Sequence, residues 1–153
     1  MPKRLTVGEW MTKNPITIEE DASVIEAIHL LKEKNIRRLP VVKKGRLSGL
    51  VTEKMLYGYM PAKATSLDQW ELHYLLSKTP VKAAMNPKPH TVTADTALAD
   101  AAQLIHDRKL NGITVVDAKG ELIGLLTTTN ALEALVYFAR EAKAEAEAEA
   151  ARK

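Results

Sequence analysis

Residues 47–55 read "LSGLVTEKM" and residues 122–130 read "LIGLLTTTN". Both run through Gly, Leu and Thr and then part, one ending in Lys-Met and the other in Thr-Asn. A stretch written twice asks whether the chain is a duplication, and working outward from it shows that it is. Val7, Met11, Pro15, Thr17, Asp21, Ala27, Leu30, Val41 and Val42 recur as Val81, Met85, Pro89, Thr91, Asp95, Ala101, Leu104, Val115 and Val116, always 74 apart (81 − 7). After one inserted residue in a turn the offset becomes 75 (120 − 45), and Gly45, Leu47, Gly49, Leu50 and Thr52 recur as Gly120, Leu122, Gly124, Leu125 and Thr127. Two copies imply pseudo-twofold symmetry.

Each copy opens with a short alternating strand, Ile16-Thr17-Ile18 or Thr91-Val92-Thr93. A helix follows, with apolar residues at helical spacing: Val24, Ala27, Ile28 and Leu31, then Leu98, Ala101, Ala102 and Ile105. Ser23 and Glu26 stand three apart, as a capping box requires, and in the second copy Asp95 or Thr96 can cap. Next, "LPVVKKGRLSGLVT" and "ITVVDAKGELIGLLT" read as hairpins whose Gly45 and Gly120 can take the positive φ a tight turn needs. A second helix closes each copy. The order is β-α-β-β-α twice, an α/β (α+β) class of small sheets covered by helices.

The expected divisions are residues 5–59 and 81–140 for the two copies, with 60–80 as an inserted helical connection and 141–153 as a tail. In the insertion "MPAKATSLDQWELHYLLSKTP", Ser66 and Gln69 have capping-box spacing, and Leu67, Trp70 and Tyr74 share one helical face. That stripe is expected to clasp the protein's own core in preference to a dimer partner. The tail "REAKAEAEAEAARK" has strong helix formers but only alanine to bury, so it should extend the last helix and fray.

A chain of 153 residues, 46% of them hydrophobic, can fill a core. There is no apolar run of membrane-spanning length and no apolar stretch after the basic start, which points to a cytoplasmic protein. Absence of cysteine excludes disulfides, thiolate catalysis and cysteine metal sites. His29, His73, His90 and His106 have no metal-ligand spacing, and neither a nucleophile elbow nor a phosphate loop is present, so no catalytic residue and no metal are expected. The net charge of +3 is mild. Arg37, Arg38, Lys43, Lys44 and Arg46 cluster without interleaved aromatics, a pattern that a solvated turn explains more simply than nucleic acid does.

Two β-α-β-β-α copies, each with a Leu-Pro-Val-Val-like strand and a Gly-hydrophobic-hydrophobic-Thr-x-x-Asp/Asn-like ending, resemble a tandem pair of cystathionine-β-synthase-type (CBS) domains, the Bateman module. The insertion is similar to that of stand-alone bacterial pairs of the acetoin-utilisation regulator type. The resemblance implies a non-catalytic regulatory module, often a homodimer, with no required cofactor. It implies binding of AMP, ADP, ATP, S-adenosylmethionine or a related adenosyl ligand in the cleft between the copies. Carried over by position, ribose would meet Thr127, Thr129 and Asn130, the base Ile16 and Ile36, and phosphate Arg37 and Arg38, whose guanidinium forks suit it. Thr127 to Asn130 also suit a helix cap, and the two isoleucines a plain core. The mirror-image cleft would pair Thr52, Lys54 and Met55 with His90, Leu110 and Asn111. It is poorer, because a thioether is a weak partner for ribose. A ligand-free structural dimer and a nucleic-acid binder remain the alternatives.

Overall fold

The computed structural model describes residues 4–59 and 67–152. A short helical turn, α1 (Val7–Trp10), and a two-residue strand, β1 (Thr12–Lys13), precede the first copy's main elements. These are β2 (Ile18–Glu19), α2 (Val24–Lys34), β3 (Arg38–Lys43), β4 (Arg46–Thr52) and α3 (Glu53–Gly58). The insertion supplies α4 (Gln69–Lys78), and a 3-10 turn at Val81–Ala83 leads into the second copy. That copy consists of β5 (Thr91–Val92), α5 (Leu98–Asp107), β6 (Gly112–Val116), β7 (Leu122–Thr127) and α6 (Thr128–Ala151).

The chain forms two compact units whose limits differ from those of the copies. One unit takes residues 1–14, 91–115 and 123–153; the other takes 15–90 and 116–122. Each copy's opening segment therefore folds with the other copy's hairpin. In the first unit the sheet order is β1-β7-β6-β5, with Thr12 opposite Leu125 and Lys13 opposite Gly124 in antiparallel register. In the second the order is β2-β3-β4, with β2 parallel and β4 antiparallel to β3. The repeated glycines follow from this arrangement. A Cβ on Gly49 would lie 2.7 Å from the Asn86 carbonyl and collide with the Met85 side chain, and one on Gly124 would lie 3.1 Å from the Thr12 carbonyl and collide with Met11. Both strands need a residue with no side chain where the opening segment of the other copy crosses them.

Each unit has its own core. In the first, Val7, Leu98, Ala101, Ile105, Ile113, Val115, Leu126 and Ala134 are buried, with Trp10 ringed by Tyr137 and Phe138 at centroid distances of 5.5 and 5.6 Å. In the second, Val24, Ala27, Leu31, Leu39, Val41, Val51, Leu56 and Val81 are buried. The expected stripes are the buried ones, except that Ile28 is only partly covered and Ala102 stays outside the buried set.

Four local expectations are corrected. The opening strands are shorter than read, with Ile18–Glu19 and Thr91–Val92 alone in register, because only these residues reach a partner strand. Neither Asp95 nor Thr96 caps α5: the N-cap is Ala97, without a side-chain bond, and the Thr96 hydroxyl instead accepts from the Thr93 N–H. Ser66 lies outside the described residues, and α4 is capped by Asp68, whose Oδ1 accepts from the Glu71 N–H at 2.8 Å. Leu67, Trp70 and Tyr74 do share one side, lining a 450 Å³ hollow with Leu75, but Trp70 and Tyr74 are 85% and 66% exposed. Leu76, from another side of α4, makes the contact with the core. Ser23 does accept from the Glu26 N–H, without the return bond from the Glu26 side chain that a full capping box adds, and Gly45 and Gly120 have the expected positive φ of 81° and 82°.

Candidate functional site

The sequence nominates residues from both compact units, and each set is described within its own unit. The second unit holds Ile16, Ile36, Arg37 and Arg38. Ile36 packs against the core, held where Asn35 ends α2 in the left-handed conformation (φ 53°) and the Ile36 N–H donates to the Leu31 carbonyl at 3.0 Å. Ile16 is different: at 39% exposed it stands outside the core. Arg37 is exposed and its carbonyl accepts from the Glu53 N–H at 2.8 Å, tying the loop to the start of α3. Arg38 opens β3 opposite Thr52 and is half-buried. Burial pulls its guanidinium below the usual arginine range, but an arginine still carries its charge at neutral pH. Neither arginine forms an ion pair among the described residues.

A 310 Å³ cavity lies beside this loop, lined by Leu31, Lys32, Asn35, Ile36, Arg37, Glu53 and Tyr57. The Lys32 ammonium sits 5.6 Å from the centre of the Tyr57 ring. Lys32, Glu53 and Tyr57 had no signal in the sequence, since a lysine in the last turn of a helix and an acid in the first are ordinary dipole partners.

The first unit holds Thr127, Thr129 and Asn130. Thr127 is the N-cap of α6: its hydroxyl accepts from the Asn130 N–H at 3.2 Å, and Asn130 Oδ1 accepts from the Thr127 N–H at 2.9 Å. This closed capping box draws in β1, because the Thr12 hydroxyl donates to the same Oδ1 at 3.4 Å. Asn130 is consequently 8% exposed, while Thr129 next to it is exposed. The Asn130 amide nitrogen has no partner among the described residues. Thr128, not nominated, fixes the loop before β6 by donating its N–H and its hydroxyl to the Asn111 carbonyl at 2.9 and 3.0 Å.

The second nominated set divides likewise. Thr52 caps α3 by accepting from the Met55 N–H at 3.1 Å, but Met55 has no polar atom to return the bond. Lys54 and His90 are exposed, and His90 is engaged within the protein. Leu110 and Asn111 line a 470 Å³ cavity in the first unit with Ala102, Ile105, His106, Lys109, Thr128 and Ala131. At the rim of that cavity His106 Nδ1 lies 3.1 Å from Asp107 Oδ1, and bonds from His106 and Gln103 hold the Asp107 carboxyl below its usual range. No group of three or more metal-ligating side chains occurs among the described residues, and none of their helices is long and apolar enough to cross a membrane.

A duplicated β-α-β-β-α chain with these strand endings defines a tandem CBS-domain protein. The CBS domain family matches twice, over residues 7–62 and 81–137, and the chain belongs to that family. It is 35% identical to the chloroplastic CBS domain-containing protein CBSX2 of Arabidopsis thaliana over 89% of its own length and 66% of that protein's, so it spans about two thirds of this relative. A crystal structure of CBSX2 in complex with AMP superposes with a TM-score of 0.72 at 36% identity, over 88% of this chain and 98% of that one. The CBS pair of protein MJ0100 in complex with 5-methylthioadenosine and S-adenosyl-L-methionine follows at a TM-score of 0.67 and 25% identity, over 88% and 97%. The fold is also that of a putative acetoin utilization protein, AcuB, from Vibrio cholerae, with a TM-score of 0.73 at 23% identity over 90% and 95% of the two chains.

Proposed function

We propose that the chain is a non-catalytic regulatory module that binds an adenine nucleotide or a related adenosyl ligand and works as a homodimer of paired CBS domains, residues 5–59 and 81–140. The observation that carries this reading is Arg38. A half-buried guanidinium with no ion-pair partner among the described residues, next in the chain to exposed Arg37, which has none among them either, presents two cationic donors to an anion. A ligand phosphate, or the carboxylate of an adenosyl amino acid, is such an anion. Ile16, exposed, and Ile36 are the apolar residues proposed for the base, and Thr129 and Asn130 the polar ones proposed for ribose. The adenosyl class is supported by the complexes formed by CBSX2 and MJ0100.

A thermal-shift series with AMP, ADP, ATP, S-adenosylmethionine and adenosine tests the reading. At about 100 times its dissociation constant a true ligand adds about 2.7 kcal/mol to stability, and a shift should appear for at least one charged member of the series. Identical melting with and without all five would favour the structural dimer alone.

A further inference from the structure

Two cavities occupy matching places in the two copies. Six of the seven residues lining the 310 Å³ cavity beside Arg37 have their repeat counterparts in the wall of the 470 Å³ cavity of the other unit, at the offsets of 74 and 75 that relate the copies. The apolar part of the wall is kept, since Leu31 and Ile36 correspond to Ile105 and Leu110. The end of the preceding helix is kept too: Asn35 and Lys109 both take a positive φ, 53° and 54°, which turns the chain at the same point. A hollow here is therefore a product of the fold. What differs is the chemistry. Asn111 stands in place of Arg37 and Thr128 in place of Glu53, and Thr128 closes onto its neighbour by donating its hydroxyl to the Asn111 carbonyl at 3.0 Å. In the first copy Lys32, Arg37 and Glu53 all line the hollow, yet none of them forms an ion pair among the described residues. The Glu53 N–H donates to the Arg37 carbonyl at 2.8 Å, so two opposite charges are tied to one rim by their backbones and still do not meet. The volume lies at the lower end of the range for small-molecule sites, about 300–1,000 Å³.

We infer that the first copy's cavity receives the far end of the adenosyl ligand, and that the end it selects is an α-amino acid, with Glu53 as the residue that discriminates. This rests on the adenosyl reading and narrows it. An amino-acid tail carries both signs. Its carboxylate suits the guanidinium fork of Arg37 and the Lys32 ammonium, and its own ammonium, a donor of three hydrogen bonds, suits the Glu53 carboxylate. A polyphosphate would satisfy the two cations but set negative charge against Glu53, and juxtaposed like charges are costly. A monophosphate avoids that conflict, since it presents no charge beyond the group that the arginines hold. The second copy's cavity, with Asn111 and Thr128 at the corresponding positions, offers neither the fork nor the carboxylate.

S-adenosylhomocysteine and methylthioadenosine separate the tail from the rest of such a ligand, because both are uncharged at sulfur and differ only in the amino-acid end. Calorimetric titration of the full chain should give the first a dissociation constant at least about tenfold below that of the second, the effect of hydrogen bonds to charged groups. Glu53→Gln keeps the length of the side chain and the backbone bond to Arg37. It should weaken S-adenosylhomocysteine about tenfold, leave methylthioadenosine within about twofold, and leave ATP no weaker than before. Lys32→Gln should weaken S-adenosylhomocysteine in the same sense, with circular dichroism and melting temperature confirming that both variants are folded. Equal affinity of the wild-type chain for the two thioethers, or undiminished binding of S-adenosylhomocysteine by Glu53→Gln, would overturn the inference. If AMP or methylthioadenosine binds in either case, the adenosyl reading survives the loss. If AMP, ATP and both thioethers all fail to bind the wild-type chain, that reading has failed and the inference falls with it.

Discussion

The first copy closes as Thr52-Glu53-Lys54-Met55 and the second as Thr127-Thr128-Thr129-Asn130, two versions of one helix start. Both threonines cap their helices, but only Asn130 returns the bond and gathers Thr12 into the same cluster. The loops before the second strands differ in the opposite sense. Arg37 and Arg38 in the first copy stand where the second has Asn111 and Gly112 (37 + 74, 38 + 74). Hydroxyl and amide groups are thus concentrated in one copy and cations in the other. The duplication thus keeps its element order in both copies while dividing its chemistry between them.

If the division of chemistry is real, mutations should respect it. The largest effect should come from the cations. Arg37→Ala and Arg38→Ala should each weaken a phosphorylated ligand by about 10- to 150-fold, the range for losing a charge-assisted hydrogen bond, while adenosine is little affected. Asn111→Ala, the positional counterpart of the first, should change the same affinity by less than about threefold, and fluorescence or calorimetric titration would show equal losses if the copies were interchangeable. A symmetric control comes next. Gly49→Ala and Gly124→Ala force a methyl group into Met85 and Met11 respectively, and each should destabilise the fold by about 1–3 kcal/mol in urea denaturation. A large difference between them would break the symmetry of the scaffold. The smallest effect separates the two caps. Asn130→Ala removes the acceptor for the Thr127 N–H and the Thr12 hydroxyl and should cost about 1–2 kcal/mol, whereas Met55→Ala, at a partly exposed position with no polar role, should cost less than about 1 kcal/mol.

Much of this was legible in the sequence because a duplication checks itself. The hairpins, the buried stripes of α2 and α5, and the threonine caps each appear twice, so one copy confirms the other. Contacts that join distant parts of the chain left no such trace. Thr12 and Asn130 are 118 residues apart, and no pattern in a single sequence announces their bond. Nor could periodicity tell that Ile16 stays half outside while Ile18 is buried, because an alternating strand presents the two residues identically until its neighbours are known. The stripe of α4 misled for a related reason. Trp70 and Tyr74 are the bulkiest residues on the helix, yet the side that packs carries Leu76, since the angle at which a helix is delivered to its core is set by the chain around it. Asp68 and Ser66 are equally good capping residues on paper, and only the point at which the backbone turns helical selects between them.

The central claim of the proposal is that the chain binds one adenosyl ligand. Isothermal titration of AMP into the wild-type chain tests it most directly, through stoichiometry. The account predicts one strong site per chain; two equal sites per chain, or no heat of binding at any ligand concentration up to the millimolar range, would contradict it.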